Sequence, residues 1–587
     1  MTTHILGVNS AYHEPAACLL RDGEIVAQAE EERFNRVRYG KRSRVDNPDD
    51  LPEQAMAWCL REGGIGWSDL DSIGYSFEPE ARRRLNAGLP DSGRMPAGGW
   101  GSPGGEETFY RHNLAARTKL IERAPQAEFH FLPHHLCHAA SAFFASPFEE
   151  AAVLVLDGIG EFNSTWLGVG GAGGLAELES VPYPHSLGFV WERMSEFLGF
   201  DPYSGPGKLM GYACITDPVG ETTGTDYLER LRPALHPVSG GGFAVDNEVF
   251  RFRTEDFTGL EELFGPRRPA VVDRYEDASI ASALQVLTQE IMVHLATRLH
   301  ALVNPGRAVP ITDLCLAGGV ALNCVANHEI TRHAPFKRLW VQPMANDAGT
   351  ALGAAAILHQ RSGGKGRPRM PHAVWGPGFG TGEISAALTA RGLSFSTPNN
   401  LPTLVAGRLE EGRICGWFQG RQEVGPRALG HRSILADPSR FDTRSRLNLR
   451  VKSRESFRPF APSVLPHGMA RFFETAGELP AARHMLLALP LRERRLAQTV
   501  PAVVQENGST GLATARVHEV DPAVDPLYAA VIREFERKTS LPMVLNTSFN
   551  IGEPIVTTPD QALDTFLRSQ MQDLVLGPFL VENPKTA

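Results

Sequence analysis

Two histidines, His134 and His138, stand four residues apart in His134-His135-Leu136-Cys137-His138, and the apolar run Ala151 to Leu156 that follows ends in Asp157. On a helix this spacing stacks two side chains on one face. Two imidazoles on one helical face and a carboxylate at a strand end suit a divalent metal that accepts nitrogen and oxygen ligands. Taken alone, H-x-x-x-H is more often a pair of helix-end histidines bonded to backbone, and it lacks the Glu of H-E-x-x-H. The strand-end aspartate moves the reading towards metal. Asn346-Asp347-Ala348-Gly349-Thr350 places a second carboxylate at a strand-to-helix junction. Asp347 is a candidate fourth ligand, or else an N-cap.

A second set of residues suits anions. Gly207-Lys208-Leu209-Met210-Gly211 offers free backbone N–H groups and an ammonium, with a plain loop as the bland alternative. Gly318-Gly319-Val320-Ala321-Leu322-Asn323 follows a short apolar strand, a recipe for close approach to a nucleotide. Arg427, Lys452, Arg454, Arg458 and Arg516 sit among glycines, prolines and aromatics, not along a polar helix face. That context argues for anion recognition by paired, planar donors, with surface ion pairs as the alternative. Asn546-Thr547-Ser548, at the end of another strand, carries amides and hydroxyls able to read a nucleotide or phosphate.

The elements that must hold these residues are legible from periodicity. Three strands are expected over residues 4–32, joined by an Asp22-Gly23 hairpin turn. An amphipathic helix is expected over 50–65 and a strand over 70–76. Residues 87–107 are rich in Gly and Pro and read as a long loop, disordered or a lid, with Trp100 as its ligand-touching residue. Three strands recur at 153–157, 164–170 and 175–181, again with a Gly-rich first turn, Asp157 to Glu161. A duplicated meander followed by helices is what an actin/sugar-kinase-like fold would show. Helices are expected over 185–199 and 276–303, and strands over 314–317, 339–342, 414–418 and 543–545. Residues 362–374 read as a linker, dividing an α/β chain into domains 1–361 and 375–587.

At 587 residues the chain is long enough for two or more cores. Its net charge of −9 argues against a general nucleic-acid binder. Seven scattered cysteines, without C-x-x-C, suit a reducing compartment. The first residues lack the pattern of a signal peptide, and no apolar run is long enough for a membrane span. A soluble cytoplasmic protein is expected, with a homodimer as the default assembly.

Several stretches together resemble one family. They are His13 between the first strands, Glu30-Glu31-Glu32-Arg33-Phe34, His134-x-x-x-His138, Leu156-Asp157-Gly158, Gly207-Lys208-x-Met210-Gly211, the run Gly318 to Asn323, Asn346-Asp347-Ala348-Gly349, Gly425-Pro426-Arg427-Ala428-Leu429-Gly430, Phe457-Arg458-Pro459-Phe460-Ala461-Pro462 and Asn546-Thr547-Ser548-Phe549-Asn550. In colinear order and over nearly the whole chain, they resemble the O-carbamoyltransferases of antibiotic and nodulation-factor biosynthesis. The resemblance implies an N-terminal actin-like (ASKHA) domain similar to the tRNA threonylcarbamoyl transferase and a C-terminal YrdC-like domain. It implies that carbamoyl phosphate and ATP give carbamoyl-adenylate, whose carbamoyl group passes to a hydroxyl of a small natural product at a divalent metal, Fe(II). The implied ligands are His134, His138, Asp157 and Asp347. Arg427, Lys452 and Arg458 would bind carbamoyl phosphate. His13 would take the acceptor's hydroxyl proton. Lys208, Gly318, Gly319 and Asn323 would serve the adenylate, and Arg516, Asn546 and Ser548 the ATP.

Three departures from the family pattern stand out. Glu14 replaces an Asp, Arg38-Tyr39 replaces Lys-His, and an insertion precedes Arg516. A tRNA-modifying threonylcarbamoyl enzyme is the alternative, opposed by the acidic charge; a nucleotide sensor without chemistry would leave Arg427 and Arg458 without a purpose.

Overall fold

Asp22 and Gly23 both take positive φ, 51° and 85°, and so turn the strand Ala16–Arg21 tightly into the strand Glu24–Glu30. The computed structural model describes residues 2–85, 98–219, 224–267, 275–475, 477–506 and 511–585. The chain divides into two compact units, Met1–Pro371 and His372–Ala587.

In the first unit, β1 (His4–Asn9), β2 (Ala16–Arg21) and β3 (Glu24–Glu30) form an antiparallel meander. β4 (Ser72–Tyr75) runs parallel to β1, and β5 (Glu128–Phe131) parallel to β4. A second meander follows, of β6 (Ala151–Leu156), β7 (Asn163–Gly171) and β8 (Gly174–Pro182). After a short ribbon, β9 (Leu235–Pro237) and β10 (Phe243–Val245), β11 (Asp313–Ala317) joins β6 in parallel and β12 (Arg338–Val341) joins β11. The two sheets, β3-β2-β1-β4-β5 and β8-β7-β6-β11-β12, share one topology. The repeat expected from the sequence is therefore a repeat of sheet order as well. β6 is buried at every position, the pattern of a strand covered on both faces.

The helices that carry the candidate ligands touch backbone to backbone. A Cβ on Gly353, in the helix Thr350–Arg361, would lie 1.8 Å from the carbonyl oxygen of Cys137, in the helix His134–Phe143. Only a residue without a side chain permits that approach.

Three local expectations change. Residues 87–107 are not one loop, because Pro103 opens the helix Pro103–Arg123. Ser102 caps it by accepting from Gly105 N at 3.1 Å. Proline in a first turn costs no hydrogen bond and comes with its φ already set. Residues 86–97 lie outside the described residues. Gly205–Tyr212 is a helix and not a loop, with Pro206 again in its first turn. A 3₁₀ turn, Gly319–Leu322, stands between the glycine pair and the helix Cys324–His333.

The division between the units falls inside residues 362–374. This stretch is anchored on each side of the division. Arg367 donates to Phe148 O at 2.6 Å and Met370 N to Ala145 O at 2.9 Å, while Val424 N donates to Ala373 O at 2.8 Å.

The second unit is a mixed α/β body. Its strands are β13 (Cys415–Phe418), β14 (Arg432–Ala436), β15 (Ala461–Val464), β16 (Ala488–Pro490), β17 (Gln505–Glu506), β18 (Ala513–Arg516), β19 (His518–Glu519), β20 (Met543–Ser548), β21 (Asp573–Leu576) and β22 (Phe579–Glu582). A seven-stranded sheet runs β19-β15-β20-β14-β13-β21-β22, and β16-β18-β17 form a smaller one. Among the described residues, no helix is long and apolar enough to cross a membrane.

Candidate metal centre

His134 opens its helix and His138 follows one turn later, so both rings leave the same face. Asp157 directly follows β6, and Asp347 begins the short turn before Thr350–Arg361. These four buried side chains each present one donor atom, all within 4.8 Å of one another. His134 Nε2 lies 3.5 Å from Asp157 Oδ2 and 3.5 Å from Asp347 Oδ1; His138 Nε2 lies 3.7 and 3.5 Å from the same atoms. Ligands at about 2.1 Å around a tetrahedral cation lie about 3.4 Å apart, so the observed spacings match the edges of such a shell. The Nε2 atoms of His134 and His138 are buried without a hydrogen-bond partner, as a lone pair kept for a cation would be. The donor set of two imidazoles and two carboxylates fits a divalent transition metal.

The surroundings aim these donors. His134 Nδ1 donates to Ser76 O at 3.0 Å, which leaves Nε2 as the inward lone pair. The His134 backbone N donates to Glu161 Oε1 at 2.9 Å, and Glu161 also accepts from Glu78 N at 3.0 Å. Gly319 N donates to Asp157 Oδ1 at 3.1 Å, and Asp347 N to Glu14 Oε2 at 3.2 Å. The Asp347 carboxylate makes no capping bond, since the caps of the adjoining turn and helix, Asn346 and Gly349, carry no side-chain bond. His135 Nε2, a third imidazole, reaches to 3.7 Å from Asp157. Burial opposes charge on His134, but Asp347 and Asp157 outweigh it and hold its pKa well above the usual value. Burial lowers that of His138. Asp157 is held well below the carboxylate range: burial opposes this, and the nearby imidazoles of His134, His135 and His138 prevail.

His13 Nδ1 lies 3.4 Å from Glu14 Oε2 and 3.8 Å from Asp347 Oδ2. Burial works against its protonation, yet Asp347 and Glu14 push its pKa up to about 10. That field favours the imidazolium form of His13. A cation at Asp347 cancels the strongest of those attractions. The Glu14 carboxylate, one atom longer than the family's Asp, still reaches this corner of the cage.

The remaining residues divide by place. Gly318 takes φ +88°, and a Cβ there would meet Leu156 O at 2.1 Å; the glycine pair thus brings an amide to Asp157. The Asn323 side chain caps the next helix through Ala326 N at 3.1 Å and exchanges two hydrogen bonds with Gln285 at 3.2 and 3.0 Å. Lys208, half-buried, sits over the Phe200 ring at 5.7 Å.

In the second unit Lys452 is buried. It donates to Ser548 O, to Asn550 O at 3.1 Å and to Asn550 Oδ1 at 2.9 Å, with Ser548 Oγ at 3.5 Å. Asn546 Nδ2 is committed to Ala428 O and Ser463 Oγ at 3.0 and 2.9 Å, which ties β20 to the loop carrying Arg427. Burial, then Arg454 and Arg458, hold the Lys452 pKa well below the usual amine value. Burial, then Arg458 and Arg516, bring Arg454 down to about 9. Lys452 thus lies in the field of Arg454 and Arg458, and Arg454 in that of Arg458 and Arg516, a local concentration of positive charge.

Ser76, Glu161 and His135 escaped the sequence reading of the cage. Glu161 carried a usable signal, a carboxylate in the glycine-rich turn after Asp157; Ser76 acts through its carbonyl and carried none.

Two family models match, the carbamoyltransferase N-terminus over residues 4–356 and the carbamoyltransferase C-terminus over residues 406–583. Nodulation protein NolNO of Sinorhizobium fredii is 33% identical over 98% of this chain and 79% of its own length. Nodulation protein NolO of Bradyrhizobium diazoefficiens is 36% identical over 76% of this chain and 78% of its own. An uncharacterized protein of Synechocystis sp. is 36% identical over 99% and 96%. Among solved structures, the ROK hexokinase from Thermus thermophilus aligns at TM-score 0.28 and 18% identity, over 62% of this chain and 100% of that one, a score that leaves the fold argument to the sheet order itself. With both halves matched in order and these relatives aligned along most of their length, the chain belongs to the carbamoyltransferase family, and it is a transferase enzyme.

Proposed function

We propose that this carbamoyltransferase is an ATP-dependent O-carbamoyltransferase working in two half-reactions, with an actin-like first unit and a YrdC-like second unit. In the second unit carbamoyl phosphate would give carbamate and phosphate, and carbamate would attack ATP to give carbamoyl-adenylate and pyrophosphate. In the first unit a hydroxyl of a small natural product would take the carbamoyl group and release AMP. The observation that carries this reading is the buried cage of His134, His138, Asp157 and Asp347 within 4.8 Å, inside the half that matches the carbamoyltransferase N-terminus.

A divalent ion held by those four residues, Fe(II) by the family resemblance, would polarise the carbamoyl carbonyl as a Lewis acid. The chain's own groups supply the rest. Ser76 and Glu161 orient His134. His13, beside Asp347 and Glu14, holds or receives the acceptor's proton according to the charge on its neighbours. Arg427, Lys452 and Arg458, with Arg454 and Arg516, would bind the phosphates and offset the charge that develops on displacement. Ser548 and Asn546 keep Lys452 and the Arg427 loop in place. The relatives named as nodulation proteins agree with the nodulation-factor branch of the resemblance and support a small hydroxylated acceptor.

The test is pyrophosphate release from ATP with and without carbamoyl phosphate, no acceptor present. Release that depends on carbamoyl phosphate is expected, and a chelator selective for transition metals, with Mg²⁺ in excess for the ATP, should leave it standing. Release indifferent to carbamoyl phosphate would overturn the adenylate.

A further inference from the structure

Arg253 lies outside the metal cage, and no step above uses it. It takes φ +62°, a backbone conformation that side chains rarely adopt. Its guanidinium lies among aromatic rings, with Cζ 5.0 Å from the centroid of Phe189, 5.1 Å from Tyr183 and 5.8 Å from Trp100. Its Nη1 is buried and makes no hydrogen bond among the described residues. The adjacent arginine is the opposite case. Arg82 pairs with both oxygens of Glu106 at 2.8 Å and donates to Tyr12 Oη and Glu161 O at 3.2 Å. Glu106 is thereby committed to Arg82. Burial and the nearby Arg82 charge both lower the Arg253 pKa, so the group gains from any anion brought to it. A buried donor left without a partner loses the full hydration of the group.

The box adjoins the cage. A Phe189 ring carbon lies 3.5 Å from where a Cβ would stand on Gly158, next to Asp157. Tyr12 bridges the other side, its ring 5.9 Å from His134 and 5.7 Å from Trp100. Trp100, Phe189 and Arg253 are all half-buried, so part of each remains accessible. Trp100 stands between β4 and β5 and Arg253 between β10 and β11, both outside the strands of the repeated sheets, and segments that connect elements of a rigid scaffold carry substrate choice.

We propose that this box is the acceptor subsite and that it selects an acceptor whose ring carries an oxyanion, a carboxylate or a sulfate or phosphate ester. The oxyanion pairs with the Arg253 fork, the ring lies against Trp100 and Phe189, and the hydroxyl to be carbamoylated faces the metal cage. This rests on the reaction proposed above. The other source of an oxyanion in that reaction is the phosphate of the nucleotide, and the test separates the two.

Binding to the full metal-loaded chain is measured by calorimetry, without ATP or carbamoyl phosphate. The probes are D-glucuronate, D-glucose 6-phosphate, D-glucose and AMP. The anionic sugars are expected to bind at least about tenfold more tightly than glucose, the discrimination of one charge-assisted pair. Arg253→Gln should erase that preference, and Arg253→Lys, which keeps the charge and loses the fork, should cut it several-fold. Equal binding of all three sugars to the wild type overturns the proposal. So does weakening of AMP, and not of the anionic sugars, by Arg253→Gln, because Arg253 then serves the nucleotide. If Arg253→Gln does not fold, as thermal melting would reveal, an unchanged preference in Arg253→Lys is the overturning result. Pyrophosphate release by the wild-type chain tests the underlying reaction independently, since it needs no acceptor.

Discussion

His134 has both ring nitrogens assigned by its surroundings: Nδ1 donates to the Ser76 carbonyl, and Nε2 faces two carboxylates without a hydrogen bond. A histidine so held cannot turn away when the ion leaves. His138 reaches the same two carboxylates at 3.7 and 3.5 Å. His138→Ala removes a ligand and leaves two buried carboxylates with less counter-charge. Metal bound per chain, measured by elemental analysis, should fall to near zero, and carbamoyl transfer with it. Glu161→Gln touches no ion. It weakens the bond to the His134 backbone N, and the expected loss of metal affinity is about 10–100-fold, the usual cost of an outer-shell partner. Retained metal in His138→Ala would mean that the cage is not the metal site.

At the scale of elements, the cage depends on how closely two helices approach. Gly353 faces the carbonyl of Cys137 at a distance that leaves no room for a Cβ. Gly353→Ala should separate the helix following Asp347 from the helix bearing His134 and His138. A loss of about 1–3 kcal/mol is expected in chemical denaturation, together with weaker metal binding. In the second unit, His431 Nε2 lies 2.7 Å from Asp525 Oδ1. Burial opposes the imidazolium there, but Asp525 outweighs it and raises the His431 pKa. A raised folded value means that the pair's contribution is complete below the unfolded value of about 6.5 and is lost as pH rises through the folded value. Asp525→Asn should therefore cost about 1–3 kcal/mol at pH 6 and clearly less at pH 9. An equal cost at both values would show that the pair does not titrate as drawn.

For the whole molecule, the candidate metal ligands belong to one compact unit and the Arg/Lys cluster to the other. Binding an ion stabilises the native state that holds it, by about 2.7 kcal/mol at a hundredfold excess over Kd. Calorimetry of the chain should resolve two unfolding transitions, with a chelator lowering only the one assigned to the first unit. With Mg²⁺ in excess for the ATP, a chelator selective for transition metals should abolish carbamoyl transfer while carbamoyl-phosphate-dependent pyrophosphate release continues. A chelator that lowers both transitions, or stops both activities, would contradict this separation.

Local pattern alone was enough for the strands of both meanders, the Asp22-Gly23 turn and the long helix Tyr275–Val303, because turn chemistry and hydrophobic period act between near neighbours. It misread Pro103 and Pro206, since a helix-opening proline and a loop proline look alike until a cap such as Ser102 is in place. The i, i+4 histidines could be read from spacing, yet spacing could not decide between a metal pair and two capped rings. Asp157 and Asp347 were legible as strand-end carboxylates, but that all four donor atoms come within 4.8 Å of one another was decided by the fold, in which β6, β11 and β12 pair and Gly353 lets two helices touch. The orientation of His134 by Ser76, the field of Asp347 and Glu14 at His13, and the Arg253 box are likewise tertiary. Each is set by burial and by charges brought close through space, and neither quantity exists along an unfolded chain.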